Sequence, residues 1–317
     1  MIFKNRITEL LGVEYPIVQA PMGWIARSQL AAAVSNAGGM GIIETSSGEL
    51  DAIRVEIAKM RELTDKPFGV NVAHAFVRDE TIIDFIIKSG VKFVTTSAGD
   101  PNKYCGPLKA AGLTVFHVVP TLKAAMKAVE AGVDGLIVEG GEGGGFKNPQ
   151  PVMSMVLLPL VREKVGVPII AAGGICDGAT MAAAFALGAE GVQMGTRMVA
   201  SAESPVHPNW KQAIVDAAET DTVFLNQFSK PALRALRTAK TSRLEHEHGP
   251  QIMAEFGRSQ DLYFGGDMEA SIALSGQVAG RIDSVKPVAD VIAETVAEFE
   301  ATMTELGKRF GRAAQNA

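Results

Sequence analysis

Val167-Pro-Ile-Ile-Ala-Ala-Gly173-Gly174-Ile-Cys-Asp177-Gly, an alanine-rich segment, and then Gly188-Ala-Glu-Gly191-Val-Gln193-Met-Gly195-Thr196-Arg197 form the stretch that decides the fold. Val167 to Ala172 is a short apolar run of the kind buried on both faces of a parallel sheet. Gly173 and Gly174 end it, and Asp177 is placed to cap a helix from Ala179 to Leu187. Gly191 to Met194 reads as a second buried strand, closed by Gly195 and Thr196. Two consecutive strands that each stop at a bare glycine leave several backbone N–H groups on one rim of the sheet. Together with the positive ends of the following helices, such a rim suits a phosphate dianion. One glycine turn would be a turn and nothing more; two in adjacent βα units favour phosphate. In an eight-stranded βα barrel the phosphate site commonly follows strands seven and eight.

The same beat runs upstream. Strand-like runs stand at Pro16 to Gln19, Met40 to Glu44, Phe68 to Val72, Lys92 to Thr96, Thr114 to Val118 and Gly135 to Glu139. Helical patterns separate them at Arg27 to Asn36, Glu49 to Leu63, Glu80 to Lys88, Lys103 to Ala111, Leu122 to Ala131 and Met153 to Val165. Eight buried strands, each followed by a helix, predict an α/β fold of the (β/α)8 TIM-barrel type. The beat stops after Ala200. From Ser201 to Asp267 no strand-like run is evident and charge increases, which predicts a small helical cap inserted after strand eight, over the barrel mouth. The expected division is a barrel of residues 1–200 and 269–317 and a cap of residues 201–268. A last helix, Pro287 to Arg309, carries a stripe of Val288, Ile292, Val296, Phe299, Met303, Leu306 and, just beyond, Phe310, expected to pack on the barrel wall. The tail after Gly311 is expected to fray.

Composition bounds the function. The chain has 317 residues, 47% of them apolar, and a net charge of −5, which offers no footprint for nucleic acid. Two distant cysteines, Cys105 and Cys176, lack metal-site spacing and suit a reducing compartment. No signal-peptide pattern and no bilayer-length apolar run are seen, so a cytoplasmic protein without membrane contact is expected. Composition leaves the oligomeric state open.

In such a barrel the chemistry is drawn from the strand C-termini. These read Gln19-Ala-Pro21-Met22, Gly69-Val-Asn71, Thr95-Thr-Ser97, His117, Glu139-Gly-Gly-Glu-Gly-Gly144-Gly145, Gly173-Gly174 and Gln193-Met194-Gly195-Thr196. The set is amide, glycine and apolar, with no catalytic carboxylate pair, no metal cluster and no nucleophile beside a base. It suits a flat cofactor that brings its own chemistry. FMN fits: phosphate at the paired glycines, ring edge on Asn71 and Gln193, ring face against Pro21-Met22.

Pro16-Ile-Val-Gln-Ala-Pro-Met-Gly-Trp24, Lys66-Pro-Phe-Gly-Val-Asn71, Ala171-Ala-Gly-Gly-Ile175, Gln193-Met-Gly-Thr-Arg197 and Leu274-Ser-Gly-Gln-Val-Ala-Gly280 together resemble the nitronate monooxygenase (2-nitropropane dioxygenase-like) family. Related NADH:quinone reductases and flavin enoyl-acyl-carrier-protein reductases belong with it, and the likeness spans the whole chain. The resemblance implies an FMN-bearing barrel with contacts from Pro21 or Met22, Asn71, Glu139, Gly144, Gly173, Gly174 and Gln193, Met194, Gly195 and Thr196. After strand six the family reads Gln-Gly-x-Glu-Ala-Gly-Gly-His, and that histidine is tied to catalysis; here Phe146 follows the glycines. Some relatives also carry a lysine after the strand-five histidine, where this chain has Val118. With both polar groups gone, residue 146 is expected to point over the flavin in an apolar pocket.

Catalytic candidates are therefore few. Lys147, His117 and His74 are named, although a solvated loop lysine and hydrogen-bonded scaffold histidines are the plainer readings. Cys176 is read as packing ahead of a reactive thiolate. Trp24 and Phe146 are candidates for the substrate side. So are Arg234 and Arg237, on a helix expected to open at Pro231 and to present Arg234, Arg237 and Lys240 at three-residue steps. That face is either solvated or a dock for a CoA thioester or NAD(P)H. The leading expectation is an FMN-dependent, NAD(P)H-linked reductase or dehydrogenase of an activated C=C or a quinone, with a CoA thioester among the substrates considered. Alternatives are a monooxygenase of preformed nitronates, a phosphate-binding barrel without flavin, and a flavin module without turnover.

Overall fold

Each of the eight expected strands forms, in the expected place. The computed structural model describes residues 3–311. In chain order the strands are β1 (Ile17–Gln19), β2 (Gly41–Ile43), β3 (Phe68–Ala73), β4 (Phe93–Ser97), β5 (Thr114–Val119), β6 (Gly135–Glu139), β7 (Gly145–Lys147), β8 (Ile169–Ala172), β9 (Gly191–Met194), β10 (Thr222–Leu225) and β11 (Ala232–Leu236). All but β7, β10 and β11 pair in parallel in the order β1-β9-β8-β6-β5-β4-β3-β2. A parallel bridge between Val18 and Met40 brings β1 back to β2, so the sheet closes. The family of βα units is a TIM barrel.

Alternation along each strand sorts the barrel residues into two sets. Val18, Met40, Ile42, Phe93, Phe116, Ile137, Ile170 and Ala172 fill the interior, with the rings of Phe93 and Phe116 edge to face at 5.4 Å. A helix absent from the sequence reading, Arg6–Leu11, adds Ile7 and Leu11 to this cluster. A Cβ on Gly191, the first residue of β9, would lie 3.1 Å from Ile7. The helix therefore plugs the N-terminal end and leaves the C-terminal mouth open for function. Stepping by two from the interior residues places Asn71, Thr95, Val118, Glu139 and Gln193 inward at the mouth. Thr96, His117 and Met194 point outward, toward the helix layer.

The last helix, Val288–Phe310, packs where expected through Val288, Val291, Ile292, Thr295 and Phe299. A Cβ on Gly178 would lie 2.2 Å from its Phe299 nitrogen, so only glycine permits this close crossing. The stripe ends there. Met303, Leu306 and Phe310 are exposed because the helix runs past the barrel. The tail beyond Gly311 lies outside the described residues.

Segment 201–268 corrects the reading more sharply. It does contain helices, Pro208–Val215, Ala239–Leu244 and Ser259–Tyr263, but also the antiparallel pair β10 and β11. The expected helix at Pro231 is β11, because Leu233 and Ala235 alternate into a small core with Val223, Leu225, Leu244 and Ile252. β7, expected as loop, pairs antiparallel with β11 and joins the same sheet. No helix among the described residues is long and apolar enough to cross a membrane.

Candidate functional site

The glycines after β8 and β9 differ in cause. Gly173 and Gly174 have φ of +84° and +81°, which a side chain rarely tolerates. A Cβ on Gly173 would also meet the Gly140 oxygen at 2.8 Å, because the loop after β6 crosses it. Gly195 is different: its φ is −105°, ordinary for any residue. A Cβ there would meet only Ala20 at 3.5 Å and the Met22 sulfur at 3.9 Å. No crowding by the protein accounts for glycine at 195, and a bound group filling the space beside Ala20 and Met22 would. Nearby, the inward Gln193 is buried and its Oε1 has no hydrogen-bond partner. An orphaned acceptor and a bare backbone on one strand end fit FMN.

The motif Leu274–Gly280 builds the back of this rim. The Gly276 N–H donates to Thr196 Oγ1 at 2.8 Å, and the Gln277 N–H donates to the Glu142 oxygen at 2.9 Å. A Cβ on Gly144 would lie 2.6 Å from the Ser275 carbonyl carbon, so this glycine is bare because the clamp presses on it. Across the mouth, Asn71 Nδ2 donates to Thr95 Oγ1 at 2.9 Å, which fixes the amide facing inward. Met194 turns its side chain into the outer wall, and its backbone oxygen accepts from the Ala20 N–H at 2.9 Å.

Lys147 is not solvated. Its side chain is 4% exposed and its ammonium pairs with Glu139. The strand alternation of β7 sends Phe146 the other way, 40% exposed, against Phe76 at 5.8 Å and stacked on Phe256 at 6.1 Å. Phe146 thus spans from the segment after β3 to segment 201–268, on a strand rather than in a loop.

Arg234 is corrected too. It is buried on β11; its Nε donates to the Gly141 oxygen at 2.8 Å and its Nη1 to Thr222 Oγ1 at 3.2 Å. The guanidinium also lies 5.3 Å from the Phe224 ring centre. It ties the glycine loop at Gly141 to β10 and β11. Arg237 is exposed and paired with Glu245 at 2.8 Å, and Lys240 with Glu255 at 2.9 Å. Sequence reasoning missed this because the three-residue spacing of the cations obscured the apolar alternation of Leu233, Ala235 and their neighbours.

The histidines also resolve. His117 faces outward, its Nδ1 2.7 Å from Thr96 Oγ1, and burial pushes its pKa down to about 4. His74 rests edge-on against Tyr104 at 4.6 Å, and both ring nitrogens lack hydrogen-bond partners. The hydrogen-bonded reading therefore holds for His117 and fails for His74. Burial and then Lys103 depress His74 to about 4 as well. Cys176 is buried and its thiol is pushed up to about 12, first by burial and then by Asp177, an environment that suits packing. Trp24 has φ of +60°, donates its backbone N–H to Glu44 Oε1 at 3.2 Å, and meets Tyr263 edge-on at 5.5 Å. No cluster of metal-binding residues is present among the described residues.

A family model described as nitronate monooxygenase matches residues 4–80 and 73–298. A Mycobacterium tuberculosis protein named (3aS,4S,5R,7aS)-5-hydroxy-7a-methyl-1-oxo-octahydro-1H-indene-4-carboxyl-CoA dehydrogenase is 38% identical over 248 residues, 77% of this chain and 69% of that protein. Among solved structures, FabK from Thermotoga maritima superposes with a TM-score of 0.92 at 41% identity, covering 96% of this chain and 99% of that one. The nitroalkane oxidase from Streptomyces ansochromogenes gives 0.83 at 27% identity, covering 95% and 100%.

Proposed function

The chain belongs to the nitronate monooxygenase family of FMN-dependent oxidoreductases, and on that premise we propose that it is an NAD(P)H-linked reductase. Its substrate class is an activated C=C, foremost in an acyl-CoA thioester, or a quinone. The observation that carries this reading is the absence of a free base on the inward rim, among the described residues. Asn71, Thr95, Val118 and Gln193 do not take protons, Glu139 is held by Lys147, residue 146 is phenylalanine, His117 faces away, and His74 lies beside it against Tyr104. Removing a proton from a neutral carbon acid needs a positioned base; accepting a hydride at an activated double bond does not. FMN, when bound, supplies the hydride chemistry.

The chain's own residues have three tasks in this reading. Gly195 and Thr196 receive the phosphate, with the clamp at Ser275 to Gln277 behind them. Asn71 and Gln193 orient the ring through their amides. Phe146, Phe76 and Phe256 keep water from the entrance and offer apolar surface to an acyl group. In this division residues 201–268, joined by β7, act as the substrate-facing subdomain over a barrel of residues 1–200 and 269–317. A second reading, oxidation of preformed nitronates, is favoured by the same observation, because a nitronate arrives already deprotonated.

One preparation tests both. Under nitrogen, NADH or NADPH should bleach the bound flavin, and crotonyl-CoA or menadione should restore its colour. A flavin that neither nicotinamide bleaches, in a protein that consumes oxygen with ethyl nitronate, would sink the reductase reading and support the second.

A further inference from the structure

Two carboxylates end the inward-facing rows of the barrel, Glu44 after β2 and Glu139 on β6. Glu44 is fully buried and locked by Arg27 at 3.0 Å and by the Trp24 and Ser47 amides at 3.2 and 2.7 Å. Glu139 has a different arrangement. Its counter-ion, Lys147, comes from β7, the strand that the cap sheet has taken, with Lys147 opposite Ala232 of β11. The pair lies where the β6 loop meets the glycine turn after β8. A Cβ on Gly143 would sit 3.0 Å from the Lys147 ammonium, 3.2 Å from Glu139 and 3.4 Å from Gly173 Cα. The ammonium is thus buried against the backbone of the same glycine loops that could hold FMN.

We propose that Lys147 is a positioning residue for charge: by neutralising Glu139 it removes a partly buried negative charge from the edge of the flavin site. FMN carries a phosphate dianion and gains further negative charge when its ring is reduced. An uncompensated Glu139 would oppose both. Lys147 therefore tightens FMN and makes its reduction easier, acting through Glu139 and without touching a substrate. The β7–β11 pairing adds a consequence: the cap sheet, by holding the lysine's strand, helps set the flavin's potential.

The test uses purified holoenzyme, stripped and reloaded with FMN, with flavin fluorescence and a dye-equilibrated potential titration as readouts. No nicotinamide or substrate enters, so its outcome is independent of the reductase reading. Lys147→Met should raise the Kd for FMN by about tenfold, the scale of one unscreened charge at a partly buried site, and shift the midpoint potential downward. Lys147→Arg should keep both near wild type. Adding Glu139→Gln to Lys147→Met should recover both. If Lys147→Met holds too little flavin to titrate, Glu139→Gln alone must shift the potential upward. An unmoved potential in Lys147→Met, a double variant that recovers neither quantity, or an unmoved or lowered potential in Glu139→Gln overturns the proposal.

Discussion

On β4 and β5, residues one position apart have different fates. Thr95 and Val118 point into the barrel mouth, where Thr95 holds the Asn71 amide. Thr96 and His117 point into the helix layer, where they bond each other and burial holds the imidazole neutral. The outward set holds His117, the imidazole that looks catalytic in a list of strand ends, while Thr95 and Val118 of the inward set look plain. Alternation of side chains across a strand, not residue type, separates a site from its scaffold.

Four changes would break or sharpen that contrast. The largest effect is expected at Gly195→Glu, which fills the space beside Ala20 and Met22 and adds a charge that repels phosphate. FMN affinity should fall by more than about a thousandfold, while circular dichroism stays unchanged. A variant that purifies fully yellow would mean that the end of β9 is not the cradle.

Next is Phe146→His, which offers a base from the cap side of the mouth. Oxygen uptake with nitroethane should rise by up to about a hundredfold, the lower end of general-base assistance, with ethyl nitronate little changed. A wild type already fast on nitroethane would mean that another base exists. No gain in the variant would mean that Phe146 stays with Phe76 and Phe256 at the entrance, out of reach of the reacting atoms.

Gln193→Leu keeps the bulk of an inward residue and deletes its orphaned acceptor. FMN binding should weaken by about tenfold, the worth of one well-made hydrogen bond in a buried site. An unchanged Kd would leave the orphaned Oε1 without an account.

The smallest effect on turnover belongs to the outward set. His117→Gln should change kcat/KM by less than about twofold, but it should alter stability with pH. The folded pKa lies near 4 against an ordinary value of 6.5, so between these the unfolded chain binds a proton that the folded chain refuses. Stability from this group is present above pH 6.5 and is lost as pH falls toward 4, by about 3 kcal/mol in all. Melting temperatures of wild type should therefore drop over that window, and those of His117→Gln should drop less. Parallel curves, or a large loss of turnover, would return His117 to the list of catalytic residues.

The barrel was legible because its signals are local. Val167 to Gly174 and Gly191 to Gly195 carry apolar runs and glycine stops within a few residues of each other, and each barrel helix begins and ends within three residues of its expected boundary. The cap was not. Its sheet joins β7, in the loop after β6, to β10 and β11 more than seventy residues later, and β7, Gly145–Lys147, lacks the apolar run that marks β1 and β2. The plug helix Arg6–Leu11 was missed for a related reason: six residues are too few to show an amphipathic stripe, although Asn5 and Thr8 form a capping box.

Sequence by itself determined the barrel, the glycine rims and the phenylalanine at position 146, because strand period, turn glycines and residue identity are properties of neighbours along the chain. Only the tertiary structure decided that Lys147 is buried against Glu139, that Arg234 holds the Gly141 carbonyl, and that His117 looks outward. Each depends on a meeting of distant segments or on which face of a closed sheet a side chain takes, and neither is encoded within a few residues of the group concerned.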